Sequence, residues 1–169
     1  MITIYRILIN IVYILSPIII LIRVLNKKEN LKRFKEKLCL ISKKRKRGKL
    51  IWFHASSVGE ILSVIPIIEK LEKNKNIHNI LITTNTLSSA KIIAEKKYLK
   101  KVIHQFFPID KNSLCKKFLK YWKPDLIIFV ESEIWPNFIL NIKKLKIPLL
   151  LLNARFTKKT FNSWKKVPK

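Results

Sequence analysis

The sequence predicts an α/β fold, a doubly wound parallel sheet preceded by an N-terminal membrane helix. Three observations predict it. After Gly48, apolar runs of strand length alternate with stretches of helical spacing, the order that builds a parallel sheet with helices on both faces. The run at 125–130 is almost wholly apolar, as expected of a strand in the middle of such a sheet. Residues 2–25 carry charge only at Arg6 and Arg23.

The N-terminal stretch is taken first. Sixteen uncharged residues lie between Arg6 and Arg23, about 24 Å as a helix against a bilayer core of roughly 30 Å. Both arginines can snorkel outward. Pro17 is expected to kink or divide the helix. The rival reading is a signal peptide, but no small-residue cleavage site follows. Residues 1–26 are therefore read as an uncleaved membrane anchor.

Residues 27–49 form a basic juxtamembrane segment, with twelve Lys or Arg against Glu29 and Glu36. The run Lys43-Lys44-Arg45-Lys46-Arg47 resembles a nuclear-import or nucleic-acid patch in composition. Its place directly after an apolar helix instead assigns it to the cytoplasmic side, against anionic headgroups. The net charge of +26 partly reflects a general use of Lys and Ile, so it is no nucleic-acid footprint by itself.

Residues 50–169 read as one Rossmann-like domain. Strands are expected at 50–53, 80–83, 102–106, 125–130 and 147–152. Helices are expected at 61–71, 88–98, 113–121 and 135–144, with Pro136 in the first turn of the last. Cys39 and Cys115 lie far apart and fit no metal spacing. His54 and His104 are placed at strand ends and His78 in a turn, without zinc spacing. No metal and no cofactor is assigned.

Ligands of such sheets bind at the carboxyl ends of the strands. Three conspicuous stretches fall there: His54-Ala55-Ser56-Ser57-Val58-Gly59-Glu60, Glu131-Ser132-Glu133-Ile134-Trp135-Pro136-Asn137 and Asn153-Ala154-Arg155. Gly59, one of only two glycines, suggests a positive φ or a close backbone approach. Ser56 and Ser57 suit helix caps whose N–H groups hold an anion. Glu60 reads either as a reactive carboxylate or as one complementing the helix dipole. Glu131 and Glu133 read either as functional acids or as structural ones that cap the helix at Trp135 or pair with Arg155.

In order, these stretches, together with the anchor, the basic segment, Thr83-Thr84-Asn85-Thr86 and Ile147-Pro148, resemble the bacterial 3-deoxy-D-manno-octulosonic acid (Kdo) transferase family. The resemblance runs from the anchor to about Trp164. It implies the N-terminal half of a GT-B glycosyltransferase that moves Kdo from CMP-Kdo to a lipid A precursor, on the cytoplasmic face of the cell inner membrane. It makes Glu60 the general base, Glu131 a supporting acid favoured over Glu133, and Ser56, Ser57, Gly59 and Arg155 acceptor-binding residues. The expected partners are CMP-Kdo, the lipid acceptor and the anionic membrane surface, and not nucleic acid. Two departures stand out. Where the family carries a Thr-Pro-Thr-Gly-like run, this chain reads Thr86-Leu87-Ser88-Ser89. The family also continues into a CMP-sugar domain beyond the point that corresponds to Lys169, so the 169 residues are read as truncated: a fragment, a truncated gene product or half of a split enzyme. The alternative is a catalytically inactive remnant that binds acceptor at the membrane.

Overall fold

The structure is a computed structural model that describes residues 2–131 and 133–154. Ser132 and Arg155 lie outside the described residues. Five parallel strands form one sheet: β1 (Leu50–His54), β2 (Asn79–Thr84), β3 (Val102–Phe106), β4 (Leu126–Val130) and β5 (Leu149–Leu152), in the order β3-β2-β1-β4-β5. The strands read as continuous apolar runs because helices cover both faces. On one face Trp52, Leu81, Ile127 and Phe129 pack with Phe118 and Trp122 of α4 (Asn112–Trp122) and with Phe138 of α5 (Pro136–Lys144). On the other, Ile51, Phe53, Ile80, Ile82 and Val130 pack with Ile61 and Ile68 of α2 (Val58–Lys73) and with Ile93 of α3 (Leu87–Glu95). Alternation along each strand sends neighbours to opposite faces, so Trp52 and His54 share one.

The chain runs β1 to β2 to β3 outward and then returns to place β4 on the other side of β1. The strand order therefore reverses between β1 and β4, where open α/β sheets bind ligands. His54 and Phe129 are register partners at that crevice.

The first helix, α1 (Ile2–Leu25), is continuous through Pro17 and is not divided there. Proline removes the N–H that would bond the carbonyl four residues back, and Ser16 Oγ donates to that carbonyl, of Tyr13, at 2.7 Å. One stripe of α1 faces the domain along its length. Tyr5 Oη donates to Asp110 Oδ2 at 2.7 Å and Arg6 Nε to Asn137 Oδ1 at 3.0 Å. The Lys111 ammonium lies 3.7 Å from the Tyr13 ring centroid, and Ser16 and Ile20 are buried. Near its end Arg23 pairs with Glu29 at 3.1 Å. The spacing of 5, 13, 16, 20 and 23 is helical. Ile4, Ile7, Leu8, Ile11, Ile14, Leu15, Ile18, Leu21, Ile22 and Leu25 are exposed on the rest of the helix. The helix thus turns its polar stripe to protein and its apolar surface outward.

The basic segment also seals a sheet edge, which its charge did not announce. Glu36, buried in a 3-10 turn (Phe34–Leu38), accepts from Phe106 N–H of edge strand β3 at 2.8 Å. Arg33 donates to both Glu36 oxygens, at 2.8 and 2.9 Å, and to the His104 carbonyl at 3.0 Å. His104 sits inside β3 rather than at its end. Burial raises the pKa of Glu36, but hydrogen bonds from Arg33, Ser42 and Phe106 outweigh it and hold the carboxyl below its ordinary 4.5. A carboxyl with a depressed folded value contributes stability that is fully present above its unfolded value and lost as pH falls through the folded one. Glu36→Gln is expected to cost roughly 2 kcal/mol at neutral pH. The gap in melting temperature between variant and parent should close as the pH falls below 4.5, and a gap independent of pH would contradict this account.

Candidate active site

The site grows from the ends of four strands. Ser57 caps α2: its Oγ accepts from Glu60 N–H at 3.2 Å, and Glu60 Oε2 accepts from Ser56 N–H at 2.8 Å. This is a capping box shifted by one residue, the pattern Ser-x-x-Glu that opens a helix. Glu60 is 8% exposed, and its other carboxylate oxygen makes no hydrogen bond among the described residues. The dipole-complementing reading of Glu60 is thus met by geometry, and one oxygen is still left for chemistry.

Gly59 does not play the part its rarity suggested. Its φ is not positive, and a Cβ there would meet nothing within 4 Å. It is the second residue of α2, where Ser57 has already made the turn in extended conformation. The constrained glycine is Gly48, with φ +102° and an added Cβ only 2.3 Å from the His78 ring.

A polar chain crosses the ends of β1 and β2. Trp52 Nε1 donates to Thr83 Oγ1 at 2.9 Å, and Thr83 Oγ1 lies 3.0 Å from His54 Nδ1. His54 Nε2 lies 3.0 Å from Glu133 Oε2. A carboxylate can only accept, so Nε2 carries a proton toward Glu133, while Nδ1 faces both the Thr83 hydroxyl and, at 3.1 Å, the Thr83 carbonyl. The ring is fully buried and stacks on Phe107, centroids 3.8 Å apart. Glu133 Oε2 also accepts from Trp135 Nε1 at 2.6 Å. Burial raises the pKa of Glu133, yet hydrogen bonds from His54, Ser56 and Trp135 bring it below its ordinary value. Ser56 stands between the two carboxylates. Its N–H donates to Glu60, its Oγ accepts from Asn85 Nδ2 at 2.6 Å, and its hydroxyl lies near enough to Glu133 to help lower that carboxyl's pKa.

Glu133, rather than Glu131, joins the His54 cluster. Glu131 takes a left-handed φ of +58°, and its N–H donates to the Leu152 carbonyl at 2.7 Å, continuing the sheet toward β5. Neither acid caps α5. Asp110 does, its carboxylate accepting from Asn137 N–H and Phe138 N–H at 2.9 Å each. Sequence reading passed over Asp110. Its signal was a lone acid four residues after an apolar strand, in Phe107-Pro108-Ile109-Asp110. The departure at 86–89 has a local reading too: Thr86 Oγ1 accepts from Ser89 N–H at 3.2 Å and caps α3. Ser89 Oγ in turn donates to the Ser56 carbonyl at 3.1 Å. Among the described residues no group of three or more His, Cys, Asp or Glu gathers to hold a metal ion.

Residues 32–169 match the family model described as 3-deoxy-D-manno-octulosonic-acid transferase (kdotransferase). The chain is 43% identical over 158 residues to the 3-deoxy-D-manno-octulosonic acid transferase of Rickettsia bellii, covering 91% of this chain and 37% of that protein. It is 40% identical over 164 residues to the probable mitochondrial 3-deoxy-D-manno-octulosonic acid transferase of Arabidopsis thaliana, covering 95% and 36%. The corresponding Haemophilus influenzae enzyme is 28% identical over 117 residues, covering 69% and 27%. The chain spans little more than a third of the length of the first two relatives.

The hydrogen-bond chain makes two expectations. Long-range ¹H–¹⁵N spectra should show His54 protonated at Nε2, and a neutral Nδ1–H ring would break the chain. Thr83→Val strands the buried Trp52 N–H and should cost about 1–3 kcal/mol, read as a lower melting temperature.

Proposed function

The chain belongs to the 3-deoxy-D-manno-octulosonic acid (Kdo) transferase family, and we propose that it is the acceptor-side part of an enzyme that moves Kdo from CMP-Kdo to a lipid A precursor. The observation that carries this reading is the meeting of Glu60 and the His54–Glu133 pair through Ser56, at the crevice where the strand order reverses.

In this reading Glu60 is the general base. The acceptor hydroxyl gives its proton to the Glu60 oxygen that Ser56 does not hold. The hydroxyl oxygen bonds to the anomeric carbon of Kdo in a single inverting displacement, and the bond to the CMP phosphate breaks as CMP leaves. The helix N-terminus stabilises the carboxylate by about 0.3–1 kcal/mol, which opposes proton uptake. Shielding from water favours it, and the 8% exposure of Glu60 supports that side of the balance. The Ser56 N–H fixes the carboxylate's direction. Glu133 and His54 act as positioning residues that hold Ser56 and Trp135. Ser57 and Gly59 shape the acceptor side, where the bare Gly59 leaves open space beside the base. Glu131, directly after β4, is proposed to border the same crevice, and Arg155 is proposed as an acceptor-binding residue.

The membrane enters through α1. Its polar stripe is satisfied by the domain along the helix, which supports a helix lying flat, its exposed isoleucines and leucines in the acyl layer of the inner membrane's cytoplasmic leaflet. That places the strand ends near headgroup depth, where a lipid acceptor presents its sugar. The donor is assigned to the part of the relatives that this chain does not span. The same span favours a second reading of the 169 residues by themselves, a membrane-attached domain that binds acceptor without transferring Kdo.

Joining this chain to the remaining part of the Rickettsia bellii relative tests the assignment. Gln at position 60 still accepts from Ser56 N–H, so Glu60→Gln should leave melting temperature and acceptor binding unchanged while turnover falls about 10²–10⁴-fold. Turnover within about threefold of the parent, less than general-base loss implies, would sink the base role. The unfused chain, given CMP-Kdo and acceptor, is expected to bind the lipid and release no CMP.

A further inference from the structure

Beside the sheet, away from the strand-end crevice, a cavity of about 420 Å³ opens between the basic segment and the C-terminal half of α3. It joins stretches fifty residues apart in the chain. Lys43, Lys44 and Lys46 line one wall, and Lys96, Lys97 and Lys100 the other. None of the six has an ion-pair partner among the described residues, and no carboxylate lines the cavity. The floor is apolar, made by Ile93, Leu99, Val102 and Ile103. Arg33 and His104 close the inner end, and both are committed elsewhere. Arg33 holds Glu36, and His104 Nε2 bonds Thr84 Oγ1 at 2.9 Å. Burial first, and then the charges of Arg33 and Lys43, push the His104 ring down to about 4 against the opposing charge of Glu36.

The plain alternative is that these lysines offset the negative end of the α3 dipole. That end carries about half an elementary charge, too little to offset six ammonium groups, three of them from another segment. Like charges crowded around an apolar floor complement an anionic amphiphile. The segment bearing Lys43, Lys44 and Lys46 leads directly from α1. On it Leu31 is 70% and Leu40 49% exposed. A groove lined by Leu21, Val24, Leu31, Phe34 and Leu38 connects α1 to the 3-10 turn. The groove and the cavity meet at neighbouring residues of the chain, Phe34 lining the one and Arg33 the other.

We infer that this cavity takes the phosphate-bearing headgroup of an anionic membrane phospholipid, which fixes how the domain sits on the bilayer. The inference rests on the membrane attachment proposed above and not on the transfer chemistry. A headgroup suits the cavity better than a polynucleotide because the floor is aliphatic. The one aromatic ring in its lining, His104, is held by Thr84 and Arg33, which leaves no Phe, Tyr or Trp face for base stacking.

Amine acetylation followed by mass spectrometry tests it. The detergent-purified chain is reconstituted in vesicles of phosphatidylcholine alone, or of phosphatidylcholine mixed with phosphatidylglycerol. Labelling of the six lysines is expected to fall about fivefold with phosphatidylglycerol, the factor a favourable lysine–surface contact implies. Lys143 and Lys144 of α5, which connects β4 to β5 at the edge of the sheet opposite β3, should change little. The triple variant Lys96→Ala, Lys97→Ala, Lys100→Ala, checked for an unchanged melting temperature, should abolish the protection of Lys43, Lys44 and Lys46. An equal fall at all lysines, or protection of Lys43, Lys44 and Lys46 that survives the triple variant, overturns the inference in favour of general surface attraction. Protection by inorganic phosphate alone, or by added RNA and not by vesicles, overturns it in favour of those ligands. A chain that floats with both kinds of vesicle while its six lysines stay equally labelled overturns the cavity assignment and leaves attachment standing. A chain that floats with neither overturns both.

Discussion

The arrangement depends on one buried carboxylate. Asp110 accepts from the first N–H groups of α5, from the Tyr5 hydroxyl of α1 and from the Cys115 thiol of α4. Its own carbonyl accepts from Asn137 Nδ2, whose partner oxygen receives Arg6. Burial raises the pKa of Asp110 despite hydrogen bonds from Asn137, Tyr5, Cys115 and Phe138. An unpaired acid there would be costly to desolvate, so four partners converge on it. The consequence runs outward. Capping α5 fixes Trp135, its N-cap residue. Trp135 holds Glu133, and Glu133 holds His54. The same aspartate that orders the crevice also docks the apolar N-terminal helix.

The sheet was legible because burial on both faces demands unbroken apolar runs, and each of the five expected strands is present. The helix faces were legible for the same reason, from periodic apolar positions. What chemistry leaves at a strand end is harder to read. Alternation tells which way a side chain points only while the backbone stays extended. Glu131 breaks it with a left-handed residue, so no parity argument could say which of Glu131 and Glu133 meets His54. The Ser57–Glu60 box, by contrast, was present in the sequence as Ser-x-x-Glu and escaped notice behind the glycine between them. Scarcity made Gly59 conspicuous, but conformational need belonged to Gly48.

The N-terminal helix shows a different limit. Hydropathy averages over all faces and left open whether the anchor spans the bilayer or inserts part-way. The few polar residues, Tyr5, Tyr13, Ser16 and Arg23, carried the useful signal through their spacing. They mark a stripe that hydrogen-bonds protein instead of lipid. The basic segment likewise contains two kinds of charge. Arg33 and Glu36 close the edge of β3, where unpaired strand groups would otherwise invite association. Lys37 pairs with Glu29, and Arg45 holds the Trp122 and Gly48 carbonyls, so the segment's other lysines are the ones left for an outside partner.

The chain of hydrogen bonds from Trp52 through Thr83 and His54 to Glu133 has one further meaning. Trp52 is also the centre of an aromatic packing group with Phe118, Phe129 and Phe138. Packing and proton placement are therefore one mechanical object in this domain. A core change that rotates the indole, even without lowering stability, reorients the hydroxyl that faces the imidazole Nδ1. The interior is thus a source of variation in chemistry, and tolerance to substitution in the hydrophobic core should be narrower than volume alone allows.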